Sequence, residues 1–553
     1  MDSLALIGLL WAILRIAVPY VMATLGGTVC ERAGVINIAL EGILLLSALG
    51  TALGAPYGVT AALASGIAAG VATALLYGLL VVVFRGDQIV CGVAIFMLAD
   101  GLSRFLLKVV FGSTSNSPRL DALAGQGPLW LLGLAGLATL LLLVLCPTFY
   151  GHMFMNPKDA PFAVAMVILL LGLVRLAEEY PSPSPRTVLI VGFGAGLSIG
   201  CRILGGMALV YAMVGFVPLL LADLRTQGVR EAAHRFAHVV YVLMPGLVFG
   251  YLIMGLIWPW AIMEPGHPFE ALTYFSHFFE KPWKEMFDGA LVSVPDMPWS
   301  YLPTLFALQL PEVLLALLIA GIAGTLMSVR RADVAAHRKT ILLMLTLAAT
   351  LPLVIAMVKR PALYNGIRHF VFVIPPMTVL AGVAFGWAMT WLKQHARSWQ
   401  PAALAVFTFG LLLPLSEMIR LHPYEYTHFN HIAGTVRSAD NFFMLDYWGL
   451  ALKQASDGLR EELVERQESA PQGRKWKVAV CGPQRPAQVA LGPDFTIGWD
   501  SNAADFAMTL GEFYCKGLTA PVMVEIKRDD VVFARVYDIR GRAISTLLAI
   551  PAP

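Results

Sequence analysis

Charge is scarce in this chain. Only 14% of its 553 residues are Asp, Glu, Lys or Arg, against roughly 25% in an ordinary soluble domain. So low a share excludes a protein that is soluble throughout, and the 58% of hydrophobic residues fall into runs long enough to cross a bilayer as helices. There is no long basic run, and the net charge is only +3, so nucleic acid is excluded as a partner. The pattern G-x-x-x-x-G-K-[ST] is missing, which leaves the chain no phosphate loop with which to hydrolyse ATP. The six cysteines include no pair at C-x-x-C spacing, so a thiolate metal site is not expected.

What is present is a series of apolar runs. Counting those of about 18 residues or more gives about thirteen spans. They start near Leu4, Ile36, Val59, Ile89, Leu129, Pro161, Thr187, Leu204, Val239, Val313, Ile341, Phe370 and Ala402. The first run has no small-residue cleavage site and is expected to be a retained helix. From about Leu421 prolines, charges and alternating runs appear, KVAVC from Lys477 and VVFARVYDI from Val531. The expected fold is therefore an all-α polytopic membrane protein with a small C-terminal α/β domain. Cys30, Cys91, Cys146 and Cys201 lie in or beside spans as small hydrophobes. Cys481 and Cys515 fall in the polar part, where a disulfide requires an oxidising compartment.

Basic residues near span ends favour the cytoplasm. Arg225, Arg230 and Arg235 cluster in one loop, Arg330, Arg331, Arg338 and Lys339 in another, and Lys393 with Arg397 in a third. Alternation then puts residues 146–162, 261–311, 359–369 and the C-terminal domain outside. The first of these, CPTFYGHMFMNPKDAPF, carries His152, Asn156, Lys158 and Asp159. The second carries Glu264, His267, Trp283, Asp296, Trp299 and Tyr301. The third sets Lys359, Arg360, Arg368 and His369 on the face that cations normally avoid, which points to an anionic ligand such as a lipid-linked phosphate. Headgroup anchoring by snorkelling side chains is the plainer reading of the same cations.

These residues carry two resemblances. From residue 129 onward, PTFYGHMFMNPKDAPFA, GAGLSIGCRILG, DMPWSYLP with QLPE, YNGIRHFVFVIPP, and HPYEYTHFNHIAG with LDYWGLALKQA resemble the membrane glycosyltransferases of family 39. That family includes protein O-mannosyltransferases and the aminoarabinose transferase of lipid A. Earlier, LGGTVCERAGVINIALEGILLLSALGT from Leu25 and DQIVCGVAIFMLADGLSRFLLKVVFGS from Asp87 resemble the permease subunit of ABC importers for nucleosides, simple sugars or branched-chain amino acids. A chimera follows, with a permease-like segment at 1–120, a transferase-like membrane domain at 121–420 and an extracytoplasmic domain at 421–553. The changeover falls between Ser113 and Leu129.

The first resemblance implies transfer of a mannose-like sugar from a polyprenyl-phosphate donor to an acceptor at the outer face of a bacterial inner (plasma) membrane. Asp159 with Lys158 would be catalytic, Arg202, Arg368 and His369 would hold the donor phosphate, and Asp296, Trp299, Tyr301 and Asn365 would contact substrate. The acidic residue which that family carries after its first span has no counterpart here, because Glu31, Glu41 and Asp87 lie in permease-like sequence. A divalent cation at Asp159 is left open as a cofactor. The second resemblance implies a transport component with an ATPase subunit as partner, although the docking region is missing. Plainer roles accompany the site residues. Asp159 could cap a helix beginning at Pro161, Arg202 could satisfy carbonyls at a helix end, and Asp446, Tyr447 and Trp448 could be the core of a helix-like run. GLSIG at 196–200 fits a hydrolase elbow pattern but lies in an apolar Gly-rich span, where close helix packing is expected.

Overall fold

The computed structural model describes residues 39–112, 128–264, 266–276, 284–502 and 504–549. The expected span from Leu4, Cys30, Glu31, Trp283 and most of the changeover segment lie outside these. Two compact units divide between Leu137 and Ala138.

In the first unit three helices follow one another: α1 (Leu40–Gly54), α2 (Val59–Gly78) and α3 (Gln88–Phe111). Gly50 lets α1 approach α2 closely, since a Cβ there would sit 2.6 Å from the Ser65 carbonyl. Asp87 starts α3 by accepting hydrogen bonds from the amides of Ile89 and Val90, each 3.0 Å. One of the few acids of this segment is thereby used as a helix cap.

Among the described residues ten helices are long and apolar enough to cross a membrane. A further pair, Gly133–Val144 and Pro147–Met155, is bent by 62° and passes the same test only together, while Pro185–Cys201 is short at 17 residues. These twelve features coincide with the last twelve expected runs. The chain is a multi-pass membrane protein. The span Arg368–His395 is buried over 78% of its apolar stretch, against 22% for Glu312–Arg330 and Arg397–Leu421, so it forms the centre of the second unit's bundle.

The GLSIG segment lies within α4 (Pro185–Cys201). Gly192 and Gly196 face α5 (Val229–Ile257), where a Cβ would meet the carbonyls of Gly246 and Gly250 at 1.9 and 2.3 Å. Side chains are excluded there because the two backbones touch, as in other small-residue helix contacts. Ser198 is fully buried and returns its hydroxyl to the Ala195 carbonyl, so no nucleophile elbow exists.

The segment 261–311 is more structured than a helical reading of the membrane part allows. It contains a hairpin, β1 (Lys284–Phe287) and β2 (Ala290–Ser293), paired antiparallel. Its turn is Asp288-Gly289, with φ of +52° and +73°, the left-handed pair that two-residue hairpins require.

The C-terminal domain has five strands, β3 (Trp476–Cys481), β4 (Phe495–Gly498), β5 (Phe506–Leu510), β6 (Val522–Arg528) and β7 (Val531–Asp538), in the order β4-β3-β5-β7-β6. The first three are parallel, and β7 runs antiparallel to both β5 and β6. Helix α6 (Ala451–Glu465) covers one face with Leu452, Ala455, Leu459 and Leu463. A disulfide joins Cys481, at the end of β3, to Cys515. Residues 446–448 do not form the expected helical run. They make a turn before α6, with the Asp446 carboxylate accepting from the Leu450 and Ala451 amides at 2.9 Å each.

Candidate functional site

Pro147 opens the second half of the bent pair, which ends at Met155. The chain then turns at Asn156, and the next helix, α7, runs Asp159–Glu179. Asn156, not Asp159, caps that helix. Its Oδ1 accepts from the Asp159 amide at 2.9 Å and the Lys158 amide at 3.3 Å, while its Nδ2 donates to Asp159 Oδ2 at 2.8 Å. The Asp159 side chain is thus free for another task and forms an ion pair with Arg202. Arg202 sits just past the end of α4 on extended backbone, so its guanidinium serves a carboxylate and not the helix carbonyls. Their side chains are 16% and 3% exposed, Arg202 being the wetter. Burial lowers the Arg202 pKa, Asp159 opposes that shift, and the nearby Arg368 adds to it.

Arg368 arrives from a different direction. Its turn contains two left-handed residues, Asn365 (φ +59°) and Gly366 (φ +67°). The hairpin holds that turn. Glu285 of β1 accepts from the Asn365 amide at 2.7 Å, from the Gly366 amide at 3.4 Å and from the Tyr301 hydroxyl at 2.7 Å. Burial raises the Glu285 pKa, and these three donors pull it back. The Arg368 guanidinium then lies over two rings, Tyr364 at 4.6 Å and Trp448 at 5.1 Å. His369 meets the Tyr364 ring edge-on at 4.9 Å. His152 completes the assembly, with Nε2 3.2 Å from the Tyr447 hydroxyl and Nδ1 3.3 Å from Asn156 Nδ2.

Asp159 Oδ1 has the Arg202 ion pair as its only partner, and four further buried polar atoms of this group have no hydrogen-bond partner: Arg202 Nε, Arg368 Nε, Trp448 Nε1 and Asn365 Oδ1. Leaving a buried donor unpaired costs about 1–3 kcal/mol, and such groups are uncommon in folded proteins. Three of the four are donors, two of them on guanidinium groups. An anion with several oxygens would satisfy them, and phosphate fits that donor set.

Of the expected site residues, Asp159, Arg202, Asn365, Arg368 and His369 belong to this group. Tyr301 is buried but acts through Glu285. Lys158 and Asp296 are exposed, and Trp299 is 54% exposed; Lys158 meets the group through its backbone amide, which donates to Asn156, and no contact of Asp296 or Trp299 with the group is seen. Glu285 and Tyr364 are participants that sequence reasoning passed over. Trp448, read there as core, turns out to be an Arg368 partner. The Asp288-Gly289 turn signals the hairpin that carries Glu285, while the contact of Glu285 with the amides of Asn365 and Gly366 has no local signal. A divalent cation at Asp159 does not fit, because the carboxylate is taken by Arg202. Among the described residues no three His, Cys, Asp or Glu side chains converge to hold a metal.

Residues 9–177 match the family model described as branched-chain amino acid transport system / permease component. The match runs past residue 120 and takes in Asp159. The chain is 36% identical over 113 residues to the guanosine ABC transporter permease protein of Bacillus subtilis, covering 19% of this chain and 35% of that one. It is 36% identical over 100 residues, 18% of this chain and 30% of the other, to a Haloferax volcanii protein whose assignment as a glucose ABC transporter permease is provisional. The chain thus spans about a third of the length of these curated relatives. No solved structure matches it significantly. The N-terminal region is permease-like, and the comparisons lend the glycosyltransferase resemblance no support.

Proposed function

We propose that residues 138–553 form an extracytoplasmic site for a polyprenyl-phosphate sugar, and that the chain is a membrane glycosyltransferase of the mannosyltransferase type carrying a permease-derived segment at its front. The observation that carries this reading is the set of unpartnered donors on Arg202, Arg368 and Trp448 beside the buried Asp159. In such a reaction the acceptor hydroxyl attacks the anomeric carbon, its proton passes to a base, and the polyprenyl phosphate leaves with the bonding electrons. Arg202 and Arg368 would neutralise the departing phosphate. Asp159, held by Asn156 and Arg202, would orient the acceptor.

The test is binding and turnover of radiolabelled polyprenyl-phosphate mannose by the purified chain. Arg368→Ala and Arg202→Ala should each weaken donor binding by roughly 10–100-fold, the equivalent of a charged hydrogen bond. Binding equal to the parent in both variants would count decisively against the reading.

A second reading is favoured by the family match: a component of an ABC-type importer for nucleosides or sugars, working in the inner membrane with an ATPase subunit. The matched stretch and the two permease relatives support it. Co-purification of an ATPase subunit from native membranes, lost when residues 39–112 are replaced, is its expected signature.

A further inference from the structure

The turn that carries Tyr447 and Trp448 is held by its own segment, through Asp446, and also from outside it. Its amides point into the C-terminal domain, where Glu512 Oε1 accepts from the Leu445 amide at 3.0 Å and from the Asp446 amide at 2.5 Å. Glu512 is 7% exposed. It lies in the loop after β5, which is fixed at both ends: the Gly511 amide donates to the Phe533 carbonyl at 2.9 Å, and Cys515 is bonded to Cys481. The intervening Phe513 and Tyr514 pack against the cluster of Tyr426, Met444 and Tyr447. From Glu512 the path to the site is short: through the Asp446 amide to Tyr447, which meets His152, and to Trp448, which stacks on Arg368.

We propose that Glu512 is a positioning residue for the Arg368 site, holding the Tyr447–Trp448 turn from the C-terminal domain and tying its geometry to the protonation of one buried carboxyl. The ligand of that site rests on the function proposed above; the coupling between Glu512 and Trp448 does not. Two acids occupy a place where neutral amides could accept the same bonds. Asp446 accepts from Tyr426 and from the Leu450 and Ala451 amides, and its carboxylate stands close enough to raise the Glu512 pKa. Burial comes first, then Asp446, and together they push Glu512 up to about 8. Asp440 acts on Glu512 in the same sense. Burial foremost, with Glu512 among the further causes, raises Tyr426 and Tyr514, and Arg437, Lys516 and Arg535 line the same cavity as Glu512. Burial pushes Asp446 itself up to about 6. At neutral pH Glu512 therefore carries a proton. Losing it sets two negative carboxyls beside each other and strains the turn above them.

The experiment uses the full chain in detergent with 5-fluorotryptophan, the ¹⁹F resonance of Trp448 being assigned by Trp448→Phe. The parent should show a step in that resonance near pH 8. In Glu512→Gln, whose amide oxygen still accepts both bonds, the resonance should keep its neutral-pH position and lose the step. Glu512→Ala should displace the resonance at every pH. A Glu512→Gln protein that titrates like the parent overturns the proposal whether or not the alanine variant folds, as does a Trp448 resonance indifferent to pH. Adding polyprenyl phosphate separates the two ideas. A Glu512-dependent step with no response to the lipid upholds the coupling and removes the transferase reading. A lipid response without the step does the reverse.

Discussion

At the scale of single residues the Asp159–Arg202 pair makes the sharpest prediction. Removing one partner of a buried ion pair costs about 3–5 kcal/mol, chiefly because the survivor is left uncompensated. With Arg202 16% exposed, the lower end applies: Asp159→Asn should cost about 3 kcal/mol in thermal melts. Asp159→Asn combined with Arg202→Gln should recover part of that, the sign of direct coupling. His428 makes a prediction about pH. It is 1% exposed and its Nδ1 lies 3.1 Å from the Gln309 carbonyl. Burial is the main cause that lowers its pKa from 6.5 to about 4. The folded state thus binds fewer protons than the unfolded state between those values. Its contribution is fully present above pH 6.5 and is lost as pH falls through 4, on the order of 3 kcal/mol in all. Denaturant titrations at pH 7 and pH 4 should show that loss, and His428→Gln should reduce it.

Elements were the most legible level in the sequence, because a span declares itself by length and apolarity alone. Twelve of the expected runs coincide with helices, with the bent pair or with the short α4. What escaped was short and set by side-chain bonds. Asp159 and Asn156 are both good caps, three residues apart, and only the structure decides that Asn156 caps α7 and leaves Asp159 for Arg202. The hairpin at 284–293 is two short strands within a polar loop, too short for a periodic signal, although its Asp-Gly turn is a strong local one. Close packing at GLSIG was legible from Gly196 and Gly200, but the backbone contact with α5 is made at Gly192 and Gly196, and it can be tested there. Gly192→Leu would drive a side chain into the Gly246 carbonyl, and overpacking of this kind costs about 1–3 kcal/mol. Gly206→Ala, with nothing within 4 Å of its Cβ, should stay within about 0.5 kcal/mol in the same melts.

Across the whole molecule the disulfide bears on sidedness. Cys481–Cys515 closes a loop of 34 residues, and removing such a bridge typically costs about 2–5 kcal/mol. Structural disulfides persist in oxidising compartments, so the bridge gives a test of the outward orientation expected from the Arg-rich loops. In cells, maleimide reagents should label Cys481 and Cys515 only after reduction, and a phosphatase fused at the C-terminus should be active. The site itself could be read only in pieces, because its members lie far apart along the chain and no local pattern announces their meeting. The contact of His152 with Tyr447 spans 295 positions, and this distance has a consequence in time. As the chain is synthesised, Asp159 and Arg202 can pair once their helices are inserted, while the turn over Arg368 must wait for the last strands to fold. A chain released before Glu512 is made should therefore keep the Asp159–Arg202 pair and lack the contact that Glu512 makes with the turn of Tyr447 and Trp448.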